Sequence, residues 1–354
     1  MKKINILLYF TLVILCNSCV SNQNDILQVE DWTQYVEPRI GTAHCRWFHF
    51  TPGALPFGLA KPAPSTNGSL GNRSGWEATG YDYRENTIEG FTCLHEFQVG
   101  GIVLMPTNGK LITIPGFPSD TVKTGYRSHF SHENEVAKAG YYSVWLDDYD
   151  IKVELTSTPR VAFHRFSFPS GKENHILFNI GNRQGESGAI KDAYVTYSAD
   201  EHIEGWVITE PEYVKKYQPG ATIPLYFSAV LDKKPIKHGS FHGNAQSDNA
   251  NESKGIGAGM YFTFSNKEKG TVTAKIGLSY TSIENARVNL QNEAANKTFD
   301  EVKEQANRIW NEYLGRIEIE TDREEDKVKF YTGLYHALLG RGLASDVNGA
   351  YPQN

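Results

Sequence analysis

Cysteine is scarce in this sequence, and basic charge does not cluster. Four cysteines in 354 residues, at positions 16, 19, 45 and 93, are too few for a disulfide scaffold. Cys16 and Cys19 fall at the end of the N-terminal apolar stretch, and the remaining Cys45 and Cys93 give no Cys-x-x-Cys spacing for a zinc site. The net charge of -6, with no Lys/Arg run to reverse it, excludes the basic stripe that a nucleic-acid footprint needs. His-Glu-x-x-His, Gly-x-Ser-x-Gly and a Gly-Lys-Ser/Thr phosphate loop are all missing, so no local motif declares a mechanism. The eleven histidines are scattered. After the first 20 residues there is no long apolar run.

Those first residues read differently. Lys2 and Lys3 precede an almost unbroken apolar stretch, Ile4 to Leu15, followed at once by Asn17-Ser18-Cys19. The run is too short for a membrane span and has the order of a secretory signal. Ser18-Cys19 resembles a bacterial lipobox, in which the cysteine is acylated, although Cys16 stands where leucine is usual. The expectation is a lipoprotein-type signal over 1–19 with lipidation at Cys19, then a tether over 20–32. Ordinary cleavage and free secretion are the alternative. Export permits a disulfide between Cys45 and Cys93, but buried free thiols are expected.

What is abundant is aromatic: 19 Tyr, 18 Phe and 6 Trp. They can fill a large core and also cover the C–H faces of sugar rings. Thr271–Tyr280 alternates cleanly, as do Tyr142–Leu146 and Ile151–Thr156, and Val161–Phe168 is β-branched and aromatic between two prolines. Pro, Gly, Asn and Asp punctuate these runs, which predicts packed antiparallel sheets, a β-sandwich over 33–290. Residues 240–258, rich in Gly, Asn, Ser and Asp, read as a surface loop.

The period then changes. Phe299, Val302, Ala306, Ile309, Trp310, Tyr313 and Leu314 recur at helical spacing within a linker over 291–322. Thr321-Asp-Arg-Glu324 matches a capping box ahead of a second helix striped with Val328, Tyr331, Leu334, Tyr335 and Leu338. The sequence after Leu339 holds nothing for that stripe to pack on. Residues 323–354 therefore read as the start of a helical domain that is cut off. The alternative is that the helix docks on the sandwich.

Residues 44–101 concentrate Trp47, Phe48, Phe50, Trp76, Tyr81 and Tyr83 with His44, His49, His95 and Glu96. Their composition fits a pocket floor and a second core layer equally well. An ordered set of motifs goes further. Tyr35-Val-Glu-Pro-Arg-Ile-Gly-Thr42, Thr51-Pro-Gly-Ala-Leu-Pro-Phe-Gly58, Gly75-Trp-Glu-Ala-Thr-Gly-Tyr-Asp-Tyr83 and Gly90-Phe-Thr-Cys-Leu-His95 come first. Leu104-Met-Pro-Thr107, Ala139-Gly-Tyr-Tyr142, Glu154–Arg160, Ser282–Leu290, Phe330–His336 and Ser345-Asp-Val-Asn-Gly349 follow. Together they resemble glycoside hydrolase family 92, the calcium-dependent exo-α-mannosidases, over essentially the whole mature chain.

That resemblance implies an N-terminal β-sandwich packed on an (α/α)₆ barrel, of which only the first helix is present. It implies inverting removal of terminal α-linked mannose, with mannose-containing glycans as partners and calcium as cofactor. An inverting pair of carboxyls stands roughly 6.5–9.5 Å apart. The family takes both from its helical domain, so the catalytic residues are expected beyond Asn354, and no calcium ligand is placed. The substrate-binding residues carried over are Trp76, against the sugar's apolar face, and His95 and Asp346, hydrogen-bonding hydroxyls. Glu96-Phe-Gln-Val-Gly-Gly-Ile102 departs from the family's Ser-Gly-Thr-Gly loop and bears on linkage preference. An outer-membrane lipoprotein, periplasmic or at the cell surface, is the expected location. A non-catalytic sugar-binding lipoprotein, or another exo-glycosidase of the same plan, would share most of these features.

Overall fold

The computed structural model describes residues 30–43, 49–66, 80–96, 99–117, 120, 124–182, 189–265, 267–340 and 342–353. Cys19, Cys45 and Trp76 lie outside the described residues. Two antiparallel sheets dominate. One has seven strands in the order Ala63–Ser65, Gly90–Glu96, Val99–Asn108, Asn174–Asn179, Ala258–Phe264, Lys237–His242 and Ala245–Asp248. The other has nine: Glu252–Lys254, Ala189–Tyr197, Ile203–Glu210, Ile223–Leu231, Gly270–Ser279, Val161–Phe168, Ile151–Ser157, Tyr141–Leu146 and Val136–Lys138. A short helix α1 (Glu212–Tyr217) leaves the strand Ile203–Glu210.

The sheets bury one shared core. Phe91, Leu104, Ile176, Phe178 and Met260 enter it from the first sheet; Tyr142, Val144, Leu155, Phe166, Phe227 and Ile276 enter from the second. The alternation of Val272, Ala274, Ile276 and Leu278 is therefore the pleat facing that core. Val161–Phe168 does not alternate, because both its faces are covered. Ala162 and Phe166 face the core, while Val161 and Phe163 meet Leu290, Phe299 and Val302 of two helices outside the sheet.

Three helices follow the last strand: α2 (Ile283–Ala294), α3 (Phe299–Leu314) and α4 (Glu324–Leu339). Helix α2 lies directly on the strand Gly270–Ser279. A Cβ at Gly277 would come within 2.3 Å of the Ala286 carbonyl, so only glycine allows the approach. Position 290, the sequence-based end of the sandwich, falls inside α2.

Two expectations are corrected. Residues 240–258 are not a loop but the short strands 237–242, 245–248 and 252–254, turned at Gly243 and Asn249, whose φ angles are positive. Their side chains are mostly exposed, so no apolar alternation marks them. The capping box of the helical region is Thr298 with Glu301, at the start of α3. Helix α4 instead has Arg323 at its N-cap with no side-chain cap, Thr321 accepting only from the Arg323 amide.

Helix α4, read from sequence as the first of a helical domain, also has partners within this chain. Its stripe packs on this chain's own N-terminal segment. Tyr331 lies 5.2 Å from Trp32 and stacks on Tyr35 at 5.6 Å, and Tyr335 lies 4.7 Å from Trp310. Trp310 is fully buried and donates from Nε1 to the Ala54 carbonyl at 2.7 Å. Trp310→Ala should cost about 3–5 kcal/mol, the usual price of emptying a buried tryptophan site. In urea the midpoint should fall with the slope unchanged; a loss under about 1 kcal/mol would mean this cluster contributes little.

Candidate functional site

The strand Gly90–Glu96 carries His95 to the edge of the first sheet. Glu96 pairs with Val99 in the same register as Phe91 with Leu104, the ladder being interrupted only at Cys93 and Ile102. Ile102 sits at that irregularity with φ +58, a left-handed conformation rare for a β-branched residue.

His95 is buried, and its Nδ1 has no hydrogen-bond partner. Its ring meets Phe50 at 5.2 Å. Burial, with a smaller contribution from the charge on buried Lys61, pushes its pKa down to about 3. Beside Phe50 in the chain, His49 stacks on His336 of α4 at 4.2 Å. His49 Nδ1 and both ring nitrogens of His336 also lack partners at ordinary geometry. Burial, then the neighbouring His49, hold His336 down near 4, against a partial offset from the Ile40 backbone. Gly41 makes the stack possible: at φ +90, a Cβ there would sit 2.0 Å from His49 Nδ1.

Imidazole nitrogens without a well-formed hydrogen bond thus occur at His95 on the first sheet and at His49 and His336, where residues 49–50 meet α4. Near neutral pH they are uncharged, so they serve as hydrogen-bonding groups rather than general acids. His49, Lys61 and His336 were not singled out as site residues from sequence. His336 does follow Tyr335 in the apolar stripe, and a histidine there was the available signal.

Residues 66 and 80–82, which flank Trp76 in the sequence, are joined to one another. Thr66 donates to the Gly80 carbonyl through its amide at 2.8 Å and its hydroxyl at 3.0 Å, and its hydroxyl accepts from the Asp82 amide at 3.0 Å. Tyr81 donates to buried Glu135 at 2.9 Å, as does Tyr142 at 2.7 Å, and His132 Nδ1 lies 2.7 Å from the same carboxylate. Tyr83 stacks on His132 at 4.0 Å.

Asp346 is placed elsewhere. It is buried, Oδ2 accepting from Ser279 at 3.0 Å and Thr281 at 2.6 Å, and Oδ1 from Asn289 at 2.6 Å. Its carboxylate therefore ties the end of the last strand to α2 and the 345–350 turn. Arg160 reinforces this tie, donating to the Ser345 carbonyl at 2.6 Å and pairing with Glu293 at 2.8 Å. A small cleft of about 160 Å³, lined by Gly58, Leu59, Leu94, Tyr280 and residues 342–344, separates the His95 strand from the Asp346 segment. Neither His95 nor Asp346 is among its walls. The structure sets His95 against Phe50 and the adjacent His49 against His336, while Asp346 is engaged with Ser279, Thr281 and Asn289.

Among the described residues no three His, Cys, Asp or Glu side chains are grouped to hold a metal ion. The buried carboxylates have other partners: Glu89 with Arg127, Glu135 with two tyrosines and His132, Glu154 with Arg165, Glu204 with Arg287. These residues do not fit calcium. Cys93 is a buried free thiol. No helix of the described residues is long and apolar enough to cross a membrane.

Comparison with known proteins gives a single answer. The profile of the glycosyl hydrolase family 92 N-terminal domain matches residues 35–279, and that of the family 92 catalytic domain matches 285–354. An uncharacterized secreted glycosidase of Arthroderma benhamiae is 25% identical over 336 residues, covering 87% of this chain and 41% of its own. A family 92 α-mannosidase of Bacteroides thetaiotaomicron superposes with a TM-score of 0.82 at 27% identity, over 91% of this chain and 43% of its own. The same enzyme bound to mannoimidazole gives 0.81. A family 92 inverting mannosidase of Bacteroides thetaiotaomicron shares the fold, with a TM-score of 0.73 at 22% identity over 92% of this chain and 42% of its own. The chain spans about two fifths of the length of these relatives.

Proposed function

Because the chain belongs to glycosyl hydrolase family 92, we propose that it forms the sugar-facing sandwich of an exported exo-α-mannosidase acting on mannose-containing glycans. The observation that carries this reading is the placement of His95 against Phe50 and of His49 against His336, with Nδ1 of His49 and His95 and both ring nitrogens of His336 lacking a well-formed hydrogen bond. A buried polar atom left unpaired costs stability, and sugar hydroxyls are ligands that would satisfy it. Neutral imidazole accepts from one hydroxyl at one nitrogen and donates to another from the other. Trp76, between Thr66 and Tyr81 in the sequence, covers an apolar sugar face in this proposal. Asp346 shapes the same edge by fixing the turn after α4.

Inverting hydrolysis needs a general acid on the leaving oxygen and a general base on the opposite side of the ring. Among the described residues the buried carboxylates are engaged with arginine, tyrosine, hydroxyl and amide partners, and the proposal takes both groups from the family's catalytic domain, of which this chain matches 285–354. The family is generally calcium-dependent. Export follows the N-terminal signal, with anchoring through Cys19.

Saturation-transfer NMR with methyl α-mannoside tests the binding role. The purified chain should give a weak, saturable signal, and His95→Ala should weaken it by about tenfold, the value of one hydrogen bond to a buried polar group. An unchanged signal in His95→Ala, or equal binding of methyl α-galactoside, would remove His95 from the site.

A further inference from the structure

A second groove lies at the opposite end of the sandwich. The loops leaving Phe168 and Phe264, and those entering Asn174 and Gly270, gather at one end of both sheets, since Asn174 pairs with Phe264 and Gly270 with Phe168. His95 pairs with Gly100, whereas Asn174 pairs with Asn108 on the same strand. At 3.3 Å per residue the two places are roughly 25 Å apart. Two adjoining depressions of about 390 and 530 Å³ share Phe168, Lys233, Lys269, Gly270 and Thr271.

Three features point to a ligand. Lys233, Lys267 and Lys269 are exposed and, among the described residues, have no ion pair, although the chain as a whole is acidic. Lys234 pairs with Glu201, and Glu268 and Asp150 also line the walls. These lysines come from two separate stretches, so no basic run announces them in the sequence. Second, Trp145 keeps 39% of its surface exposed at one end. From it a cross-strand row runs through Lys152 and Ser167 to Thr271 on one face of the nine-stranded sheet. Third, Asn174 lines the groove, is 2% exposed, and its Oδ1 has no partner while Nδ2 donates to the Pro169 carbonyl.

We propose that this groove binds an anionic glycan chain, a polysaccharide bearing carboxylate or sulfate groups, independently of the mannose-facing edge. Lysine ammonium groups meet the anionic substituents, Trp145 takes the face of one sugar ring, and Asn174 with the Ser167 and Thr271 hydroxyls serves ring hydroxyls. The lysines stand on the walls of a concave groove and converge on one narrow object, which suits a chain rather than a flat lipid surface.

Isothermal titration of the purified chain with a galacturonate oligosaccharide and with a sulfated glucan oligosaccharide tests this. A Lys233→Gln/Lys269→Gln double variant should raise Kd at least about tenfold, and binding should weaken with added salt as exposed charge pairs do. Trp145→Ala should raise Kd about threefold or more, reflecting the lost ring contact. Lys191→Gln/Lys329→Gln, which makes the same change in net charge, should leave Kd unchanged, as should His95→Ala. Thermal melts confirm that each variant is folded. Equal weakening by the charge control, no effect of Trp145→Ala, or full competition by phosphatidylglycerol vesicles would each overturn the assignment. Loss of binding in His95→Ala would show that the anionic glycan uses the mannose-facing edge instead.

Discussion

Acidification from pH 6.5 towards 4 is expected to destabilise this protein steeply, through three histidines that folding keeps neutral. Burial holds His95 and His164 near 3, and burial with the neighbouring His49 holds His336 near 4. In the unfolded chain the same rings titrate near 6.5. Below that value the unfolded state binds protons that the native state refuses, so stability rises with pH across the window. The stabilisation is complete above about 6.5 and is lost as pH falls towards the folded values. Each histidine contributes roughly 1.4 kcal/mol per pH unit inside the window. His132 acts in the opposite sense. Its hydrogen bond to Glu135 raises its pKa, so its contribution is present below about 6.5 and fades as pH rises past the raised value. Glu37 and Glu154, both lowered, add to the acid loss only below the ordinary carboxylate range.

His164 offers the clean check. It lies inside the sandwich core with neither ring nitrogen partnered and is 0% exposed, and it does not touch the proposed sugar site. His164→Leu should lower the slope of unfolding free energy against pH between 6 and 4 by about 1.4 kcal/mol per pH unit. His49 and His175, also lowered by burial, are left in place. Urea titrations at half-unit pH steps would read this directly. A wild-type slope near zero in that window would mean that the histidines protonate within the native state.

The sandwich could be read in the sequence where burial is one-sided, and less well elsewhere. Thr271–Tyr280 alternates because one face enters the core, so its strand was plain. Val161–Phe168 is buried on both faces and showed itself only by composition. The strands 237–248 expose most side chains and carry turn-forming glycines, so they read as a loop. Helix α2 was also missed as a helix: of its twelve residues only Ala286, Asn289, Leu290 and Ala294 are buried, too few apolar positions for a period of 3.6 to show. The two Thr-x-x-Glu boxes are indistinguishable locally. Only tertiary contacts decide that Thr298 caps a helix while Thr321 does not.

The site was legible one residue at a time and not as a constellation. His95 stood out through its motif, whereas His49 and His336 meet only because α4 folds back onto the segment after Trp32. No spacing rule connects residues from opposite ends of a chain. Asp346 was found by the same motif reasoning as His95, and its three donors belong to the strand end and α2. That distribution is a property of the fold, invisible before the strand and helix were placed.

Release of mannose from an aryl α-mannoside by the purified 354-residue chain tests the central claim most directly. The claim is that this polypeptide supplies sugar contacts while the acid and base of an inverting mannosidase come from outside it. Losing both groups removes the chemistry rather than weakening binding, and general acid–base catalysis alone is worth about 10²–10⁴-fold per group. The chain alone should therefore show no turnover above the uncatalysed rate at any pH between 5 and 8, while still giving the mannoside signal in NMR. Turnover by this chain that disappears on mutating one of its own carboxylates, such as Glu135 or Asp346, would contradict the account and place the catalytic centre within these residues.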